Sequence, residues 1–140
     1  MPTTLILPRL IADQLIALAL ANPQVEVCGL LGGDENVMRH FYPVANSATD
    51  PARHFLLDAR GQIAAMRTMR ECGEQLRGVF HSHPISAARP SATDRAAAAY
   101  PDVYYLITSL TRRQPETAAF YYDGRDFHAT SIISADAVGS

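Results

Sequence analysis

The spacing of apolar positions changes several times along the chain, and each change predicts an element. Residues 3–7 form a short apolar run ending at Pro8, which suits the first turn of a helix because its missing N–H would be unpaired there in any case. From there to about Ala21, Ile11, Leu15 and Leu18 recur at helical spacing with Leu20 beside them, and Asn22-Pro23 supplies the stop. Residues 25–31 read as an apolar strand, Gly32-Gly33-Asp34 as a turn, and residues 36–44 as a second, paired strand. A polar surface loop over 43–53 leads to a short strand at 55–57 and to Asp58 as a helix cap. The helix that follows, 59–74, repeats Ile63, Met66, Met69 and Cys72 at near-helical spacing, and Gly73 marks its end. Residues 76–83 alternate as a strand broken by His83-Pro84, and a loop runs to Pro90 before an Ala-rich helix at 91–99. Three more strands are predicted at 103–109, 117–122 and 127–133, the last two joined by the hairpin signal Asp123-Gly124. The order βαββ(β)αβαβββ implies one mixed α/β domain over residues 1–140, a central sheet with helices packed against it.

Composition narrows the field. A chain of 140 residues that is 48% apolar and 19% charged can bury a self-sufficient core, and its formal net charge of −2 provides no positive field to gather phosphates. Nucleic acid and anionic membrane surfaces are therefore set aside as partners. Two cysteines, Cys28 and Cys72, are too few for a disulfide framework and are expected to be free thiols in a reducing cytoplasm. The apolar stretch from Leu5 to Ala21 is interrupted by Arg9 and Asp13 and has no basic segment before it, so it reads as an internal helix of a mature chain rather than a leader or a membrane span. The aromatic group Tyr104, Tyr105, Phe120, Tyr121 and Tyr122 is assigned to the core, and the oligomeric state is left open.

The chemistry concentrates in Phe80-His81-Ser82-His83-Pro84 and Pro90-Ser91-Ala92-Thr93-Asp94. Two histidines one residue apart on a strand point to the same face, so both imidazoles can reach one ion, and Ser82 points to the other face. If the 84–90 loop folds back, Asp94 joins them, and a His, His, Asp set with a fourth position left to water suits catalytic zinc. Ser91-Ala92-Thr93-Asp94 also fits a helix capping box, which needs no metal; the two readings are compatible, because a capped first turn would hold Asp94 in a fixed orientation. His40, His54 and His128 are read as structural. A nucleobase deaminase would need His-x-Glu followed by Pro-Cys-x-x-Cys, and a serine hydrolase on Ser91 or Ser82 would need nucleophile-elbow glycines; neither pattern is present.

His81-x-His83, seven residues, then Ser91-x-x-Asp94 resembles the JAMM signature of the MPN/JAB metalloproteases, and Glu26-Val27-Cys28-Gly29-Leu30-Leu31-x-Gly33 resembles that family's upstream element. The resemblance implies an α/β fold of MPN/JAB-like, cytidine-deaminase-like type with a curved, mostly antiparallel sheet. It implies Zn2+ held by His81, His83 and Asp94, Glu26 as general acid/base, Ser91 as the hydrogen-bond donor to the developing oxyanion, and Cys28 as a small packing residue. The residues alone do not choose Glu26 over Glu35 or Glu71. Small members of the family resemble peptidases that cut next to the C-terminal Gly-Gly of a ubiquitin-like sulfur-carrier protein, releasing an attached amino acid such as cysteine, and that is the expected substrate class and partner. The alternative is a non-catalytic MPN-type binding module with a structural metal. Every ligand position is filled here, which favours the enzyme.

Overall fold

The computed structural model describes residues 4–135, and over them the alternation of apolar positions becomes a sheet that closes on itself. The elements run β1 (Thr4–Pro8), α1 (Arg9–Ala21), β2 (Cys28–Asp34), β3 (Val37–Val44), α2 (Ala59–Glu71), β4 (Gln75–His83), α3 (Ala92–Ala97), β5 (Val103–Ser109), β6 (Glu116–Tyr122) and β7 (Phe127–Ala135). Around the barrel the order is β1-β3-β2-β4-β5-β6-β7. β1 lies parallel to both β3 and β7 and closes the ring, β4 and β5 are parallel, and the other neighbours are antiparallel. The mixed α/β class and the curved, mostly antiparallel sheet expected from the sequence are what the fold shows.

Two apolar clusters divide the interior by the period-two rule. Leu5, Leu7, Leu31, Phe80, Tyr104 and Leu106 pack with Ile11, Leu15 and Ala19 of α1, while Leu30, Val44, Val79, Val103, Tyr105 and Tyr122 pack with Ala65 and Met69 of α2. Along β4, Phe80 therefore faces α1 and Val79 faces α2, and the two histidines that follow inherit the α2 face.

Several local expectations shift. Pro8 ends β1 and stands just outside α1 rather than in its first turn. Gly32 and Gly33 are not a turn: they lie inside β2, paired to β3 and β4 across a bulge, and the chain reverses at Glu35, whose φ is +52°. The inner face of α2 is Ala65, Met69 and half-buried Met66; Ile63 is 61% exposed and Cys72, at the C-cap, is exposed, because the helix sets the face centred on Ala65 and Met69 against the sheet. The strand at 25–31 begins only at Cys28, 55–57 contributes a single bridge from Leu57 to Asn46, and the third helix spans Ala92–Ala97. Among the aromatics, Tyr104, Tyr105 and Tyr122 are core and Phe120 and Tyr121 half-buried. Thr3, assigned to the first strand, and the last five residues lie outside the described residues. No described helix is long and apolar enough to cross a membrane.

Candidate metal centre

The site forms where β4 ends. β4 and β5 run parallel and are joined by the crossover that carries α3, so the carboxyl end of β4 opens toward the start of that short helix. His81 and His83 alternate onto one face, and Ser91 caps α3: its hydroxyl accepts from the Asp94 N–H at 3.0 Å, and its own N–H donates to Asp94 Oδ2 at 2.9 Å. The capping box expected from the sequence is therefore real, and it is what holds the carboxylate of Asp94 against the histidines.

Nε2 of His81, Nε2 of His83 and Oδ2 of Asp94 stand 3.0 Å from one another in all three pairings. Three donor atoms at that spacing approximate one face of the tetrahedron that bonds of ~2.0–2.2 Å to zinc require. The histidines are 1% and 2% exposed. Nδ1 of His83 donates to the Ala87 carbonyl at 2.7 Å, which fixes the ring with Nε2 directed inward. Phe55 stacks on the His81 ring at 4.3 Å and 18°. Among the described residues this is the group of His, Cys, Asp and Glu side chains able to hold a metal ion, and a nitrogen-nitrogen-oxygen set of this kind fits zinc.

The electrostatics follow from burial and from the three-way contact. Burial pulls the His81 imidazole below its ordinary value against the pull of Asp94. At His83 burial acts the same way but is outweighed by Asp94 and the Ala87 carbonyl, so that imidazole is raised. Asp94 is held well below the usual carboxylate range: burial opposes this, and the hydrogen bonds from both histidines and the Ser91 N–H overcome it.

Glu26 sits just before β2 and is 4% exposed. Its backbone is pinned by two neighbours. The Glu26 N–H donates to the Pro51 carbonyl at 2.7 Å, and Asn46 Nδ2 donates to the Glu26 carbonyl at 2.9 Å. Next to it, Ser82 accepts from the Val27 N–H at 2.9 Å and donates its own N–H to the Val27 carbonyl at 3.0 Å. The side chain is left with Oε1 buried and unpartnered among the described residues, and its carboxyl is pushed up to about 8 by burial, with His83 opposing and Asp94 adding to the rise. Glu35 and Glu71 are exposed and belong to a turn and to the outer end of α2. Cys28 donates to the Val44 carbonyl at 3.3 Å and is pushed up to about 12 by burial and the Glu26 charge, which holds its thiol in the neutral form.

Sequence reasoning missed three supporting residues. Asn46 uses its whole amide, donating also to the His54 carbonyl and accepting from the Ala48 and Leu56 N–H groups, and so ties the Glu26 segment to the loop that carries Phe55. Phe55 and Ala87 act on His81 and His83 across gaps in sequence, and no local pattern marks them. Of the other histidines, His40 pairs with Glu74 and His128 with Asp123.

The closed mixed sheet thus brings two histidines and an aspartate together at the end of β4 as a site able to hold a metal ion. The family model described as prokaryotic homologs of the JAB domain matches residues 8–122, and the chain belongs to that family. It is 34% identical over 116 residues to the desampylase of Haloferax volcanii, covering 81% of each chain, and 31% identical over 101 residues to the CysO-cysteine peptidase of Mycobacterium tuberculosis, covering 71% of this chain and 68% of that one. The solution structure of a protein from Desulfitobacterium hafniense matches with a TM-score of 0.82 and 34% identity over 99% of this chain and 96% of that one.

Proposed function

We propose that the protein is a zinc-dependent peptidase or isopeptidase that cleaves the amide after the C-terminal Gly-Gly of a small ubiquitin-like sulfur-carrier protein, releasing an attached amino acid such as cysteine. His81, His83 and Asp94 hold Zn2+. The observation that carries this reading is the mutual 3.0 Å approach of their three donor atoms beside a buried carboxyl with an unpartnered oxygen. The names of the two curated relatives, a desampylase and a CysO-cysteine peptidase, support a ubiquitin-like partner.

Zn2+ held by these three residues would supply Lewis acidity, which favours ionisation of a water placed beside it. Glu26 accepts the proton as water attacks the carbonyl and returns it to the departing amine; its raised affinity for a proton suits both halves of that exchange. Ser91 spends an oxygen lone pair on the cap, and its hydroxyl hydrogen remains available to donate to the oxyanion from an exposed position. A Gly-Gly tail has no side chains to obstruct a narrow approach to the sheet end. The reaction is expected in the cytoplasm.

The test offers the protein carriers ending in Gly-Gly joined to different amino acids and follows release by mass, with and without a chelator. Chelator-sensitive release of the amino acid is expected. Metal analysis should find about one zinc per chain, lost in His81→Ala and Asp94→Ala. Equal zinc in wild type and both variants, or undiminished cleavage under chelation, overturns the reading.

A further inference from the structure

We propose that Asn46 is a positioning residue for the cleavage reaction, its side-chain amide tying the Glu26 segment to a loop that is itself fixed against a metal ligand. This rests on the role proposed above for Glu26 as the group that moves the proton.

Glu26 lies outside the strand ladder, which begins at Cys28, so its carbonyl is taken by a side chain instead: Asn46 Nδ2 donates to it at 2.9 Å. The same nitrogen donates to the His54 carbonyl at 2.9 Å, and Oδ1 accepts from the Ala48 and Leu56 N–H groups at 3.0 Å each. Both donors and both lone pairs of the amide are therefore used. A carboxylate has no donor for the two carbonyls, a hydroxyl has one, and glutamine carries the amide one methylene further out. Asparagine is the side chain that closes the set.

The bonds to His54 and Leu56 bracket Phe55, whose ring stacks on His81 with centres 4.3 Å apart. The loop is thus registered against a metal ligand, and one rigid amide passes that register to Glu26. The other support of this segment comes from the ligand strand itself, where Ser82, between His81 and His83, holds both backbone groups of Val27. Disturbing Ser82 disturbs the ligands as well. None of the four Asn46 bonds goes to a ligand, so its loss frees Glu26 while β4 and the α3 cap still hold the metal site. A displacement of ~1 Å at a reacting group can cost on the order of 10²-fold in rate.

Asn46→Ala is compared with its parent in the wild-type and Glu26→Gln backgrounds, with a Gly-Gly carrier joined to cysteine as substrate. Zinc affinity is read by competition with a chromogenic chelator, and the backbone by amide hydrogen exchange. With Glu26 present, kcat should fall about tenfold or more at unchanged KM and zinc dissociation constant; with Glu26→Gln it should fall no further. The Glu26 and Val27 amides should exchange faster, those of β4 at their former rate. An unchanged kcat, an equal fold-loss in both backgrounds, a zinc affinity that falls with turnover, or unchanged exchange at Glu26 and Val27 overturns the assignment. A general weakening of the fold would lower kcat equally in both backgrounds. Should Asn46→Ala fail to fold, Asn46→Asp keeps the two accepted bonds, removes the two donated ones and is held to the same outcomes. If wild type cleaves no conjugate, the proposed reaction fails and exchange alone decides the tie: faster exchange at Glu26 and Val27 sustains it, and unchanged exchange overturns it.

Discussion

Glu26 presents its carboxyl to a setting that favours the neutral form, and this has consequences for activity and for stability. Replacing it with glutamine keeps the shape and removes the proposed proton acceptor. Glu26→Gln should therefore retain zinc while losing turnover by about 10²-fold or more, as read by metal analysis and steady-state kinetics on one sample. Turnover equal to wild type would show that another group moves the proton. The same residue also sets a pH dependence in metal-free protein. Its affinity for a proton rises from an ordinary value of 4.5 to about 8 on folding, so the folded form holds a proton that the unfolded form gives up between these limits. Stability from this group is full below about pH 4.5 and is lost as pH rises toward 8. His83, also raised, acts in the same direction, and Asp94, lowered, acts oppositely at the acid end. Chelated Glu26→Gln should show a flatter decline of unfolding free energy between those pH values than chelated wild type. Parallel curves would mean that burial does not perturb this carboxyl.

At the scale of elements, the centre is assembled from one strand end and one helix start. β4 supplies two imidazoles from alternate positions, and the cap of α3 supplies the carboxylate already aimed. β2 is the third participant, because its pairing of Cys28 with His81 sets how far Glu26 reaches. That strand runs unusually close to β3. A Cβ on Gly29 would lie 2.5 Å from the Tyr42 carbonyl oxygen and 2.6 Å from a Phe41 ring carbon, and backbone cannot yield as a side chain can. Gly29→Ala should cost on the order of 1–3 kcal/mol in chemical denaturation and weaken catalysis more than its distance from the metal ligands suggests, since any shift of β2 carries Glu26 with it. A variant as stable and active as wild type would show that the two strands can separate freely here.

Over the whole molecule, the ligands link parts of the chain that are otherwise joined by a loop. The segment from Pro84 to Ser91 contains no regular element and is held by a few bonds, including Ser109 donating to the Ser86 carbonyl at 2.7 Å; just before it Leu110 donates to the His83 carbonyl at 3.1 Å. An ion bound to β4 and α3 together stabilises the folded form by mass action, by about 2.7 kcal/mol when free zinc stands at one hundred times its dissociation constant. Chelation should lower the melting temperature by several degrees, and adding zinc back should restore it. In Asp94→Ala the shift should largely vanish. A melting temperature indifferent to chelator in zinc-loaded wild type would argue against a site that spans both elements.

The alternation of His81 and His83, the cap at Ser91 and the apolar periods of β4 and β5 are local properties, and local properties are legible in sequence because covalent spacing alone fixes which side chains share a face. Those features determined the elements and the residues competent to bind a metal. The burial of Glu26 where Glu35 and Glu71 stay exposed, the rotation of α2 that exposes Ile63, the strand character of Gly32 and Gly33, and the support from Asn46, Phe55 and Ala87 were decided by tertiary structure. Each depends on which distant backbone presses against it, and that becomes known only when the barrel closes and the competing demands of packing and hydrogen bonding are met together.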